Sequence, residues 1–251
     1  MGSGFAGIVV SKKASEEGTL YPYKNRINSE TENMKIGIIG SGSIGATAAH
    51  LFAKVGHQVE ISNSRGPESL KAFVKSIGSK NVTTATPEGA VRFAQVVLLA
   101  IPWRKRHELP PSDVFQGKIV IDAMNPYSEN FEVIDLGNST SSEEVTKQLP
   151  GARIVKAFNT MYYESLRTGG RNSEDERLVL FMAGDDTDAK AVVSRLIDEI
   201  GFTPVDTGSL REGGHKQQPG SSIYNDPMTV EVAYKRLAEL DKHNDTWLHR
   251  D

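Results

Sequence analysis

From Lys35 onward the chain alternates short, densely apolar runs with longer segments whose apolar positions recur at helical spacing. Ile36–Ile39 reads as a buried strand, and Ile44–Val55 as a helix closed by Gly56. Gln58–Ser62 is a second strand, and Pro67–Ile77 a helix with proline in its first turn. Val82–Thr84 and Pro87–Phe93 repeat the strand and helix on a smaller scale. "QVVLLAIP", Gln95–Pro102, is apolar on both faces, which suits a central parallel strand covered by helices above and below. "KIVIDAMNP", Lys118–Pro126, has the same form.

The alternation continues through "ARIVKAFNT", a helix at Tyr163–Leu166, "RLVLFMAGD", a helix at Thr187–Ile200 and "FTPVDTG". A last helix spans Thr229–Asp241. Strand following helix throughout predicts an α/β fold, a doubly wound and mostly parallel sheet with a small C-terminal helical addition. No long helical block follows the last strand.

The first strand opens directly into Gly40-Ser41-Gly42-Ser43-Ile44-Gly45 and then a helix. In that setting Gly40 permits a tight turn, Gly42 lets a pyrophosphate approach the backbone, and Gly45 lets helix and strand pack closely. The helix start offers free N–H groups and partial positive charge to the phosphates. The end of the second strand then selects the nucleotide. A free 2′-hydroxyl calls for a carboxylate about 20 residues on, yet Asn63-Ser64-Arg65 stands there and no acid appears until Glu68. Ser64 can donate a hydrogen bond, Arg65 a charge-assisted one, and Asn63 can assist, so NADP(H) is expected over NAD(H).

Residues 1–33 differ in texture, mixing Ser, Glu, Lys and Asn around one apolar patch. They read as a mobile extension, a leftover of cloning or an overlong start, with a short edge strand at Ile8–Val10 and the folded domain beginning at Met34. They lack the layout of a secretory signal. The 251 residues, 38 % hydrophobic, suit one sizeable domain. A net charge of −3 argues against a nucleic-acid partner. The chain has no cysteine, which excludes disulfides, thiolate zinc and cysteine nucleophiles. No apolar run approaches the roughly 18 residues of a membrane span. These features predict a soluble, cytoplasmic protein.

Ligands of open α/β sheets lie beyond the carboxyl ends of the strands. Ala100, Ile101 and Pro102 close the fourth strand, Asn125 follows the fifth and Asn159 the sixth. Small apolar groups there would exclude water from a nicotinamide, and either asparagine could orient its carboxamide. Each asparagine is equally a turn or cap residue, Asn159-Thr160 being well placed to cap the next helix. No acid–base pair stands out. His50 falls within a helix, His57 in a turn and His107 in the basic run Arg104-Lys105-Arg106. His215, in the glycine-rich stretch "REGGHKQQPGSSIYN", is a weak candidate for substrate contact from a loop. Metal-binding spacings are absent, so a metal site is not expected.

Taken together, "MKIGIIGSGSIG", "ISNSRGPESL", "IVKAFNT", "LFMAGDD" and "IGFTPVDTGSL" resemble the NADPH-dependent reductases whose founding activity is hydride exchange between NADP and the deazaflavin coenzyme F420. The resemblance runs from Met34 to about Met228. It implies a Rossmann domain, commonly dimeric, in which hydride passes directly between stacked rings with no catalytic side chain. It also implies that Gly40–Gly45 with Ser41 hold the pyrophosphate, that Ser64 and Arg65 clamp the 2′-phosphate, and that Ala100, Ile101, Pro102 and Asn159 line the nicotinamide. The chain departs from the pattern in its extension and in "WRKRHELPPSDVFQ", which leaves room for a flavin or a small carbonyl or imine as second substrate. Pyrroline carboxylate reductases and hydroxyacid dehydrogenases are the enzyme alternative, though they add a long helical domain. Transmembrane ferric reductases carry a related nucleotide domain. A non-enzymatic NADP(H) sensor would show the same cofactor motifs.

Overall fold

A computed structural model describes residues 33–171, 173 and 176–244. The expected extension, with its edge strand at Ile8–Val10, lies outside these residues apart from Asn33.

The first half follows the apolar pattern closely. β1 (Lys35–Ile39), α1 (Ser43–Lys54), β2 (Gln58–Ser62), β3 (Val82–Thr84) and α3 (Pro87–Phe93) fall within a residue of expectation. Pro67–Leu70 forms a tight 3₁₀ turn before α2 (Lys71–Ile77), so the expected single helix is two joined pieces. β4 (Val96–Leu99) and β5 (Ile119–Asp122) are shorter than their apolar runs. β4 stops at Ala100 because the glycine loop lies against that residue, and Pro102 beyond it has no N–H to pair.

Two helices were not legible as such. α4 (Ser141–Gln148) begins with a full capping box, in which Thr140 accepts from the Glu143 N–H and Glu143 accepts from the Thr140 N–H. α7 (Glu212–Lys216) occupies the stretch expected to be a glycine-rich loop. A Cβ on Gly213 would lie 2.5 Å from Thr207 Oγ1 and 2.8 Å from Ala183 Cβ, so the glycine lets this turn of helix sit directly on the sheet.

β6 (Arg153–Ala157), α5 (Tyr163–Thr168), β7 (Val179–Gly184), α6 (Thr187–Glu199), β8 (Thr203–Asp206) and α8 (Val230–Asn244) complete the chain. The eight strands form one sheet in the order β3-β2-β1-β4-β5-β6-β7-β8. All neighbours are parallel except β6 and β7. The strands are buried on both faces: Ile36, Ile38, Val97, Leu98, Val120, Ile121 and Val155 have no exposed surface.

The antiparallel pair has a positional consequence. Gly184 at the end of β7 lies opposite Val155 at the middle of β6. β8, parallel to β7, therefore runs away from the glycine-loop edge, and its last residue, Asp206, stands level with Ala157 through Met182. After α7 the chain lies at the loop's edge, where Gln217 offers its carbonyl to Asn159 and the Asn225 N–H bonds Thr160 O at 2.8 Å.

Candidate functional site

The strand order reverses between β1 and β4, and the glycine loop sits at that switch point, the usual ligand crevice of an open sheet. Its three glycines serve different ends. Gly40 has φ +109°, and a Cβ there would lie 2.2 Å from Ala100 O. A Cβ on Gly45 would lie 2.0 Å from Gly40 O. Both are demanded by the fold itself. Gly42 is not: its φ of −70° and ψ of −176° suit any residue, and no atom lies within 4 Å of a Cβ placed there. A glycine with neither conformational nor packing cause leaves open backbone for something that is not protein to approach.

An anion would suit that position. Gly42 is the N-cap of α1, no side chain caps the helix, and its first turn carries no acid. The first intrahelical bond is Ala46 N–H to Gly42 O, so the preceding N–H groups of the turn face outward with the positive end of a twelve-residue helix behind them. Ser41, Ser43 and Ile44 form the surface around this turn. Among the described residues the loop thus fits a pyrophosphate.

β2 delivers the second part of the site. Ser62 is buried, donating from Oγ to Ile38 O, and its carbonyl accepts from the Gly40 N–H. Asn63 then links the two loops, with Nδ2 3.4 Å from Ser41 Oγ and 3.0 Å from Ser69 Oγ, and Oδ1 taking the Arg65 N–H. Ser64 and Arg65 are exposed at the rim, and the Arg65 guanidinium pairs with no acid among the described residues. A free cation and a hydroxyl beside a phosphate-ready loop suit a 2′-phosphate.

Between the start of α1 and the ends of β5 and β6 lies a cleft of about 180 Å³. Ser43 and Ile44 form one side, Ala123 and Asn125 another, and Phe158, Asn159, Met161, Tyr162 and Tyr163 a third. Tyr224 and Asn225 come from the returning C-terminal segment. None of the lining residues is a carboxylate, lysine or histidine. Phe158 is fully buried at φ +65°, its ring edge-on to Phe52 at 6.0 Å, a strained backbone position in the wall of the site.

The two asparagines hold each other. Asn125 Nδ2 donates to Asn159 O at 2.9 Å and Asn159 Nδ2 donates to Asn125 Oδ1 at 3.2 Å and to Gln217 O at 2.9 Å. Asn159 caps nothing; Tyr162 is the N-cap residue of α5. Ala100, Ile101 and Pro102 lie beside the glycine loop, since Ala100 O and Ile101 Cγ2 are the atoms nearest a Cβ on Gly40. His215 is half-buried in α7, its Nδ1 3.3 Å from Gln218 Nε2 and its pKa lowered chiefly by burial; it does not line the cleft. The basic run is anchored as well as solvated, for Arg106 stacks 3.6 Å over the buried Trp103 ring and Lys105 pairs with Glu108.

Beneath the cleft lies an ion pair that composition could not disclose. Lys156 and Asp122, both at most 1 % exposed, meet at 3.2 Å. Lys156 Nζ also donates to Met124 O and Ser141 Oγ, and Asp122 accepts from the Met124 N–H and Ser142 Oγ. Burial lowers the Lys156 pKa, opposed by the Asp122 charge. The pair ties β5, β6 and the start of α4 together under the loop that carries Asn125. Its only sequence signal was Asp and Lys at the ends of adjacent apolar strands.

A sheet switch point with a nucleotide-ready glycine turn, a cationic rim and an aromatic, amide-lined cleft fits a dinucleotide-binding Rossmann oxidoreductase. Comparison with known proteins agrees. The family model for NADP oxidoreductases, coenzyme F420-dependent, matches residues 35–126. Metalloreductase STEAP3 of Rattus norvegicus is 31 % identical over 182 residues, 71 % of this chain, and the chain spans 35 % of that protein's length. The hypothetical protein SMa0349 of Sinorhizobium meliloti is 34 % identical, with 78 % of this chain and 95 % of that one superposing at a TM-score of 0.70. A chain from Arthrobacter sp. FB24, named as an F420-dependent NADP-reductase, shares the fold at 23 % identity, a TM-score of 0.62 and coverage of 86 % and 94 %. The chain belongs to this family of NADP-dependent oxidoreductases. No helix among the described residues is long and apolar enough to cross a membrane.

Proposed function

We propose that the protein transfers a hydride between NADPH and a ring-type acceptor, a deazaflavin of the coenzyme F420 kind or a flavin. The observation that carries this reading is the cleft beside the cofactor loop: it is aromatic and amide-lined, with no carboxylate, lysine or histidine among its lining residues. Such a wall can pack against a flat ring and exclude water but offers no carboxylate, amine or imidazole as a general acid or base, which suits direct hydride transfer. The nicotinamide supplies the hydride when bound. The chain's own residues bind and orient. The open Gly42 backbone and the start of α1 hold the pyrophosphate, Ser64 and Arg65 the 2′-phosphate, and Ala100, Ile101 and Pro102 shield the ring. Asn159 Oδ1, buried without a hydrogen-bond partner, marks a place where a carboxamide N–H would satisfy the wall after a small side-chain shift.

The cleft's volume supports a second reading. At about 180 Å³ it lies below the roughly 300–1,000 Å³ of sites that engulf a drug-sized ligand, so the enclosed part takes one ring or a short compound. A small imine or carbonyl substrate fits that volume entirely, whereas a deazaflavin would enter by its ring edge. Following NADPH oxidation with 5-deazariboflavin, flavin mononucleotide and a panel of cyclic imines separates the two. Turnover of the ring acceptors alone supports the first reading, turnover of the imines alone the second. Tight NADPH binding with no turnover of any acceptor would refute both and leave a sensor.

A further inference from the structure

We infer that the Tyr224 hydroxyl donates the hydrogen bond that seats the second substrate, which therefore presents to the cleft a carbonyl oxygen or ring nitrogen conjugated to the carbon that exchanges hydride. The inference rests on the proposed hydride transfer but concerns a residue outside the nucleotide motifs.

The argument is one of counting protons. Asn125 Nδ2 has two: one goes to Asn159 O and the other to Tyr224 Oη at 3.3 Å. Tyr224 Oη also lies 3.3 Å from Tyr127 Oη. One hydrogen bond joins the two phenols, and a bond uses one proton, so this cluster always keeps one O–H proton with no acceptor inside it. Of the two tyrosines, Tyr224 lines the cleft and Tyr127 does not. With Asn125 and Tyr127 both donating to its oxygen, Tyr224 has its lone pairs filled and its proton left for the cleft. The other tyrosines differ: Tyr163 donates to Glu164, and Tyr162 is bonded to Tyr163 and about half exposed.

Tyr224 is a donor of a hydrogen bond and not of a proton. Burial pushes its pKa well above the ordinary phenol value. The balance of the reaction agrees. As the hydride's electron pair reaches the acceptor carbon, the π pair shifts onto the conjugated heteroatom; NADPH becomes NADP+, and solvent protonates the reduced acceptor. The Tyr224 O–H faces the atom on which that charge gathers.

The test titrates wild type, Tyr224→Phe, Tyr127→Phe and Asn225→Ala with 5-deazariboflavin, by fluorescence, with and without saturating NADP+. Tyr224→Phe should bind the probe about 3- to 12-fold more weakly, the range of one neutral hydrogen bond, with NADP+ affinity held. Tyr127→Phe breaks the same Tyr–Tyr contact yet leaves the Tyr224 proton, so its loss should stay under about threefold, the low end of that range. Equal probe affinity in wild type and Tyr224→Phe would overturn the inference. So would an equal loss in both tyrosine variants, a loss confined to Asn225→Ala, or no probe binding by wild type. Failure of NADP+ to bind is a separate outcome that refutes the proposed function, and the titration without nucleotide still reads Tyr224.

Discussion

Replacing Gly42 by valine separates the nucleotide contact from the fold, because the two demands on this residue are physically distinct. Its backbone is extended and unstrained, and a Cβ meets nothing within 4 Å. Substitution should therefore leave the fold intact, with the gain of about 0.4–1 kcal/mol from fewer unfolded conformations offset by valine's poorer fit at an N-cap. For the ligand the same methyls occupy the space in which a pyrophosphate reaches the first N–H groups of α1. Losing one or two charge-assisted hydrogen bonds of about 1.5–3 kcal/mol each predicts a deficit of about 1.5–6 kcal/mol, or roughly 10- to 2 × 10⁴-fold in Kd. Calorimetric titration with NADPH and with NADH, beside a thermal melt, reads both quantities. Both nucleotides should suffer alike while the melting temperature changes little. Gly45→Ala is the contrast: its Cβ would stand 2.0 Å from Gly40 O, so it should lower the melting temperature and lose binding only as a result. NADPH affinity within threefold of wild type in a folded Gly42→Val protein would refute the loop's assignment.

Arg65→Ala should weaken NADPH by on the order of 1.5–3 kcal/mol and leave NADH unchanged; an equal loss for both would mean that the rim does not read the 2′-phosphate. Lys156→Met strands the buried Asp122 carboxylate, which predicts a loss of about 3–5 kcal/mol in urea denaturation. The double variant Asp122→Leu/Lys156→Met should recover much of it, and a single-variant loss below about 1 kcal/mol, the size of an ordinary exposed pair, would contradict the pair's burial. The Arg153 fork at 2.6 and 2.7 Å, helped by the Ala189 N–H, holds the Asp186 carboxyl below its usual range. Its folded pKa being the lower one, the stabilisation is fully present above the unfolded value near about 4 and is lost as pH falls from there through the folded pKa. The melting-temperature gap between wild type and Asp186→Asn should thus stay constant down to about pH 4 and narrow progressively below it; a gap that stays constant below that point would show that the charge plays no part.

Much of the fold and half of the site are local in origin, and those parts were legible. Apolar runs such as Val96–Leu99 announce central strands because both faces must be covered. The glycine turn and the absence of an acid after Ser62 announce NADP because each acts through its immediate neighbours. α4 had its signal too, in the Thr140-to-Glu143 capping box. The antiparallel β7 had none, as strand direction depends on how α5 and the loop after it pack.

What the sequence determined by itself was therefore a parallel α/β core, a glycine turn at the switch point and an exposed arginine beside it, all properties of segments a few residues long. The tertiary structure alone decided which groups share the cleft. The segment after α7 passes the end of β6, where the Asn225 N–H bonds Thr160 O, so Tyr224 comes to rest 3.3 Å from Asn125, 99 residues away. Likewise Lys156 finds Asp122 only because β5 and β6 are paired in register. A hydrogen bond needs its atoms within about 3 Å, and the pairing of distant strands is what brings them there.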